Sequence, residues 1–241
     1  MMRKHPYEIL LDRKRKWSPV KPTVGMLKDG SEDTIRRALA ARHLELPVGA
    51  FIKEGLEKDV PNNARKLLES NVEDEERHDL ALQYIVDAHG EDSQSENEGK
   101  LLRDAWISHP DHTITKALVA ERAVFFVLLP FFRFNGDAAL RTVSADISRD
   151  EQIHVGTNSL VCTELGLSAS PSLDKLRKAT INWVLQPLGI NTTCKYLDKK
   201  FWLDASDRLM YEGKAPEFSD TKAARMPAFF EHSNVNLPQY A

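Results

Sequence analysis

Hydrophobic residues recur every three to four positions along most of the chain, which is the spacing of one face of an α-helix. No stretch of useful length alternates between apolar and polar residues as a strand does. The pattern predicts two shorter helices near 172–186 and 193–212, after four long helices at about 31–58, 63–88, 111–134 and 138–165. Pro47 falls inside the first long helix, where it should kink the helix or leave one carbonyl without a donor.

The connections between these helices predict how they are arranged. Short turns near residues 60 and 136 join the helices into two hairpins, and a connection of more than twenty residues separates the hairpins. The polar segment 89–100 within that connection is read as a loop. Short, long, short is the connection order of a four-helix bundle with one crossover, the ferritin-like arrangement. We therefore predict an all-α chain with an N-terminal arm (1–30), a bundle (31–168), accessory C-terminal helices (169–212) and a C-terminal tail (213–241).

Composition argues against several classes of function. The chain has 33 basic and 36 acidic residues, without the basic excess of a nucleic-acid-binding protein. Its one basic run, "RKRK" at 13–16, is interpreted as part of a solvated arm. Cys162 and Cys194 are too few for a disulfide scaffold. The N-terminus lacks the apolar core of a signal peptide, and the apolar run at 117–132 is too short to span a bilayer. We therefore expect a cytoplasmic protein with neither a nucleic-acid nor a membrane partner.

One chemical motif, D-E-x-x-H, occurs twice in the chain. Residues three apart lie on one face of a helix, so the glutamate and the histidine of each copy point the same way. The two copies consist of Asp74, Glu75 and His78, and of Asp150, Glu151 and His154.

Each motif has a partner glutamate thirty residues earlier, Glu45 for the first copy and Glu121 for the second. All corresponding positions in the two halves are 76 residues apart. Residues equidistant from the turn of a helical hairpin lie at the same height. All four glutamates and both histidines can therefore meet at one level of the bundle.

The surroundings of these glutamates indicate a metal site. Glu45 and Glu121 each lie in the middle of an apolar stripe, and burying an unpaired carboxylate costs several kcal/mol. No lysine or arginine lies on the same faces, so two divalent cations would supply the missing charge. Carboxylates with imidazoles suit iron or manganese better than zinc. The predicted ligands are Glu45, Glu75, His78, Glu121, Glu151 and His154. Asp74 and Asp150 are predicted to accept hydrogen bonds from the free ring nitrogens of the ligand histidines.

Each residue alone has a simpler interpretation. Glu75 with His78 could be a solvated helix face, and Asp74 and Asp150 could be surface acids. Glu121 could be a core residue paired with Arg122 or Arg141. The shared offset of 76 favours the metal site, because independent surface residues would not follow it.

The pattern E…ExxH…E…ExxH resembles that of the ferritin-like dinuclear-iron carboxylate proteins, over about residues 31–166. The stretch "ISRDEQIHVGTNSLV" is similar to the second metal motif of ribonucleotide reductase small subunits, and "ERAVFFVLLPFF" to their third metal helix. Two C-terminal stretches, "FWLDASDRLMYEG" and "PAFFEHSNVNLPQY", are similar to that family more weakly. Leu82 occupies the position of that family's radical-bearing tyrosine, and Glu45 that of its usual first aspartate. These departures are more similar to the oxygenase, desaturase and ligand-binding oxidase branches.

The resemblance implies two iron ions, or a manganese and iron pair, that react with O2 and draw electrons from an external donor. It also implies a small apolar substrate, a homodimer, and an Asp150 that orients His78 on the facing helix. Glu75, together with either Glu121 or Glu151, is expected to bridge the ions. Three functions remain open: an O2-dependent oxidoreductase acting on an organic substrate, a radical-generating small subunit of a ribonucleotide reductase, and iron oxidation and storage.

Overall fold

A computed structural model describes residues 4–58, 60–190 and 192–218, and the regular structure in these ranges is helical. The only β-type pairing in the described chain is an isolated bridge between Gly189 and Asp198. The all-α class predicted from the sequence is confirmed. The helices are α1 (Pro6–Leu11), α2 (Glu32–Ala40), α3 (Glu45–Leu56), α4 (Arg65–His89), α5 (Ser93–Ser108), α6 (Thr113–Ala120), α7 (Phe126–Asn135), α8 (Ala138–Glu164), α9 (Pro171–Val184) and α10 (Lys199–Glu212).

Each of the four long segments that the sequence predicted to be helical forms one column of a bundle: α2 with α3, α4, α6 with α7, and α8. Helix α3 packs against α4, α4 against α8, α8 against both α6 and α7, and α6 back against α3. Short connections join α3 to α4 and α7 to α8, whereas α5 lies within the long crossover between the hairpins. The inward faces merge into one apolar core, so the predicted bundle with one crossover is confirmed.

The two columns that carry single glutamates are irregular, whereas the sequence predicted one helix for each and an irregularity only at Pro47 in the first. The first column breaks into a 3-10 turn at Ala41–Leu44, so that Glu45 becomes the first residue of α3. Pro47 then lies in the first turn of α3, where the N–H that it lacks would have no partner within α3. The third column passes through a π-helical segment at Glu121–Phe125, between α6 and α7.

The interpretation of 89–100 as a loop is wrong for most of that segment, because α5 begins at Ser93. The Asp92 side chain caps the new helix by accepting from the Ser95 N–H at 2.9 Å. Glu96 is buried and accepts a 2.5 Å hydrogen bond from Arg42. The polar residues that predicted a solvent-exposed loop thus include one that caps α5 and one that anchors α5 to Arg42.

The N-terminal arm is not the solvated segment that its charge suggested. It contains α1, and α1 packs against α4 and α8. Tyr7 is buried and donates a 2.9 Å hydrogen bond to Glu164 on α8. Lys14, from the basic run, forms an ion pair with the buried Asp74.

The C-terminal helices α9 and α10 pack on the bundle beside the π-helical segment. Most of the predicted tail, including the family-like stretch at 227–240, lies outside the described residues. Within the described ranges, no helix is both long and apolar enough to cross a membrane.

Candidate metal centre

The structure brings the six predicted ligands together in the bundle interior, and each is fully buried. Helices α4 and α8 each supply one E-x-x-H pair, while Glu45 and Glu121 enter from the start of α3 and of the π-helical segment. The two pairs thus lie on long uninterrupted helices, and the single glutamates lie at helix irregularities. Gly49 lets α3 approach closely, because a Cβ there would lie 3.3 Å from the Cβ of Glu75.

Two groups of ligand atoms form within this cluster, and the atoms of each group lie within 4.8 Å of one another. One group combines Glu45, Glu75, His78 and Glu151, and the other combines Glu75, Glu121 and His154. Glu75 is common to both. The arrangement is that of two adjacent sites which share a carboxylate.

Glu75 and Glu151 each approach both histidines, although only Glu75 belongs to both groups. The Glu75 oxygens lie 3.6 Å from Nδ1 of His78 and 2.9 Å from Nδ1 of His154. The Glu151 oxygens lie 3.4 Å and 3.8 Å from the same two atoms. Glu45 approaches only His78, at 3.6 Å, and Glu121 only His154, at 3.8 Å. The geometry favours Glu75 with Glu151, rather than with Glu121, as the bridging pair.

The histidines are oriented by aspartates of the opposite motif. Nε2 of His78 lies 3.3 Å from Oδ2 of Asp150, and Nε2 of His154 lies 3.0 Å from Oδ2 of Asp74. A carboxylate that accepts from one ring nitrogen fixes the tautomer and leaves the other nitrogen free as a ligand. Nδ1 of each histidine therefore faces the glutamates.

The donor atoms of the cluster have no hydrogen-bond partner among the described residues. This holds for both oxygens of Glu45, Glu75 and Glu151, for Oε1 of Glu121 and for Nδ1 of both histidines. Arg122 and Arg141 do not neutralise Glu121, because they donate to Ser159 and to the Gly136 carbonyl. Unpartnered buried carboxylates are costly, and a pair of divalent cations would supply the charge that they lack. The oxygen-rich donor set with two imidazoles fits iron or manganese.

The pKa shifts within the cluster also indicate that its buried carboxylates lack positive charge. Burial raises the pKa of Glu45 and Glu121 well above the usual glutamate value. Burial acts likewise on Glu75, but the charge of His154 and the close approach of both imidazoles outweigh it and lower the Glu75 pKa. For His78, burial lowers the pKa, but the hydrogen bond to Asp150 and the nearby glutamate carboxylates more than reverse that effect. Protons thus balance part of the negative charge, and bound cations would displace them.

Three residues around the orienting aspartates were not predicted as part of the site. The indole Nε1 of Trp17 donates a 2.7 Å hydrogen bond to Oδ2 of Asp150, and its ring stacks on His78 with centroids 6.1 Å apart. Lys14 and Arg77 both pair with Asp74. No local pattern links the arm to the motifs, so only the three-dimensional fold identifies Lys14 and Trp17. Arg77, three residues after Asp74, was detectable by its helical spacing.

The sequence matches no protein-family model and no curated protein. Its fold is similar to the crystal structure of a "putative class I ribonucleotide reductase" from Bacillus halodurans, with a TM-score of 0.58 and 12% sequence identity. The match covers 94% of this chain and 98% of that chain. The architecture is therefore a ribonucleotide-reductase-like helical fold, and the buried carboxylate–histidine cluster fits a dinuclear metal site within it.

Proposed function

We propose that this chain is a dinuclear-metal carboxylate oxidoreductase that holds iron, or manganese with iron, and uses O2 to oxidise an organic substrate. The observation that carries the proposal is the pair of buried ligand groups that share Glu75, whose oxygens have no hydrogen-bond partner in the described chain. A structural role alone would not offset the cost of such a cluster.

The ligands divide the work of binding. Glu75 and Glu151 would each bind both ions, while Glu45 and Glu121 would each complete one site beside its histidine. When bound, the ions would pass electrons to O2. Full burial of the ligands would keep solvent and dissolved reductants away from the ions.

The overall chemistry fixes what else must be present. Four electrons and four protons convert O2 fully to water. In a hydroxylation or a desaturation, the substrate supplies two of these electrons and an external donor supplies the other two, together with two protons. Apolar side chains are buried one or two helical turns from the single glutamates, among them Val48, Ile52, Leu118 and Val124. This setting suits a small apolar substrate better than a charged one.

Trp17 gives the donor electrons a defined route to the centre. Hydrogen bonds connect its indole to Asp150 and Asp150 to His78, so an oxidisable ring is joined to a ligand through a single carboxylate. Arg13, Arg15 and Lys16, close to Trp17 in the chain, are exposed. These charges suit a donor protein with an acidic surface.

The alternative is a radical-generating small subunit, which the same Trp17 connection and the fold similarity also favour. Such a subunit transfers a single oxidising equivalent to a larger partner rather than oxidising a substrate itself. Co-purification with a large reductase subunit would support it.

The test is metal analysis combined with O2 consumption. Wild-type protein should bind about two ions per chain, and its reduced, iron-loaded form should consume O2. Glu121→Ala should lower the metal content, and Glu54→Ala, at an exposed acid of α3 that pairs with Lys58, should leave it unchanged. Full loading of a Glu121→Ala, Glu151→Ala double variant would refute the metal site. Full loading of the wild type without O2 consumption would refute the proposed reaction.

A further inference from the structure

Glu45 and Glu121 are the outer glutamates of the cluster, since each approaches only one histidine. They differ in the hydrogen bonds that they accept. Oε2 of Glu121 accepts a 2.8 Å hydrogen bond from Nδ2 of Asn158, and both residues are fully buried. Oε1 of Glu121 has no such partner and faces His154. In contrast, neither oxygen of Glu45 makes a hydrogen bond among the described residues. Glu121 thus has one oxygen free of hydrogen bonds, whereas Glu45 has two.

Asn158 lies one turn beyond His154 on α8, so the helix that supplies this ligand histidine also supplies the amide that fixes Glu121. The amide has no charge and cannot neutralise the carboxylate. Its effect is geometric, because the oxygen that accepts from the amide has one lone pair fewer for an ion, which favours coordination through the other oxygen.

The backbone that carries Glu121 is supported from the opposite side. Glu121 opens a π-helical segment, in which the Phe126 N–H reaches back five residues to the Glu121 carbonyl. Such a segment interrupts the regular ladder of backbone hydrogen bonds. The hydroxyl of Ser206, on α10, donates to the Ala123 carbonyl within the segment at 2.8 Å.

Ser206 is in turn fixed by a buried cation. Nη1 of Arg177, on α9, donates to the Ser206 hydroxyl oxygen at 2.7 Å. The same guanidinium pairs with Asp174 and Asp207, each at 2.6 Å. Helices α9 and α10 contribute no ligand. Through Arg177 and Ser206 they nevertheless contact the π-helical segment that carries Glu121.

We propose that Asn158 and the Ser206–Arg177 pair are positioning residues that hold Glu121 as a one-oxygen ligand for the ion on the His154 side. This inference rests on the proposed dinuclear centre. The His154 half keeps a fixed coordination, and rearrangement of the outer carboxylates is confined to Glu45.

Cobalt binding to the metal-free protein tests this without any turnover. Calorimetric titration with Co2+ gives the affinity of each ion, and the visible absorption of bound Co2+ reports its coordination. Asn158→Leu keeps the approximate size of the side chain and removes the donor. It should weaken one ion by roughly 10–100-fold, change the absorption of that ion, and leave the other ion within about twofold.

Ser206→Ala should weaken the same ion by a smaller factor. The double variant should lose less than the product of the two factors, because both act through Glu121. Thr157→Val is the matched control, since its buried hydroxyl bonds only its own helix, to the Ile153 carbonyl at 2.7 Å. It should bind both ions as the wild type does.

The possible failures are distinguishable. If the wild type binds no Co2+, both the proposed function and this inference are wrong. Two ions bound by the wild type, with unchanged affinity and spectrum in Asn158→Leu and in Ser206→Ala, overturn the inference alone. If Asn158→Leu does not fold, the Co2+ affinity and spectrum of Ser206→Ala test the inference instead, because the contact that this variant removes lies outside the ligand cluster.

Discussion

Asn71 is a fully buried amide one turn before Glu75 on α4, and neither its Nδ2 nor its Oδ1 makes a hydrogen bond within the described chain. An unsatisfied buried polar group costs about 1–3 kcal/mol. We therefore expect Asn71→Leu to raise the free energy of unfolding of the metal-free protein by about 1 kcal/mol, measured by urea denaturation with a chelator present.

Asn135→Leu provides the contrast. Asn135 is equally buried, but its Nδ2 donates to the Tyr196 carbonyl at 3.0 Å, so its removal should destabilise the protein. A decrease in stability for Asn71→Leu as large as that for Asn135→Leu would show that the Asn71 amide has a partner in solution.

Leu82 is buried on α4, one turn after His78, and offers no oxidisable group. Tyr84 lies two residues further on, which turns it about 200° around the helix. Its ring lies against the Lys21 ammonium, 5.8 Å from the centroid, on the arm side of α4. We predict that iron-loaded protein exposed to O2 shows no stable tyrosyl signal by electron paramagnetic resonance. Such a signal, lost in Tyr84→Phe, would contradict this and favour the radical-generating subunit.

The N-terminal arm connects the ligand cluster to the protein surface, because Trp17 binds Asp150 and lies close in the chain to exposed basic residues. Trp17→Phe retains an aromatic ring but removes the N–H that binds Asp150. The variant should keep both ions, while reduction of its oxidised centre by an external one-electron donor slows roughly 10–100-fold in stopped-flow absorption.

Trp183→Phe is the control for the arm. That indole also donates to a carboxylate, at 2.6 Å to Glu98, but this pair lies outside the ligand cluster. Equal reduction rates in Trp17→Phe and the wild type would exclude the route through Trp17.

The elements divide clearly into those that local sequence predicts and those that it does not. Helices α4 and α8 match their predicted bounds closely, because each is long, amphipathic and uninterrupted. The spacing of 76 could be read from the chain because the ligands lie on paired hairpins. The π-helical segment and the first half of α5 were missed because tertiary partners stabilise them: Ser206 for the first, Arg42 for the second. Trp17 was missed for the same reason, since it is 133 residues from Asp150 in the chain.

At the scale of the whole molecule, the bundle encloses negative charge that only cations can fully balance. Ions that bind the folded protein and not the unfolded chain add about 2.7 kcal/mol per site at a hundred times the dissociation constant. Adding a chelator should therefore lower the thermal midpoint in calorimetry. The shift should shrink in Glu121→Gln, which weakens binding and removes one buried charge. Identical midpoints with and without chelator would contradict a centre that is coupled to folding.

The most direct measurement is anomalous X-ray diffraction from crystals of the iron- or manganese-loaded protein, collected at the absorption edge of each metal. We predict two peaks roughly 3.5–4 Å apart, with Glu75 and Glu151 between them, Glu45 beside one and Glu121 beside the other. Nδ1 of each histidine should face its own ion. A single peak, no peak, or two peaks bridged by Glu121 instead of Glu151 would contradict the dinuclear centre described for this chain.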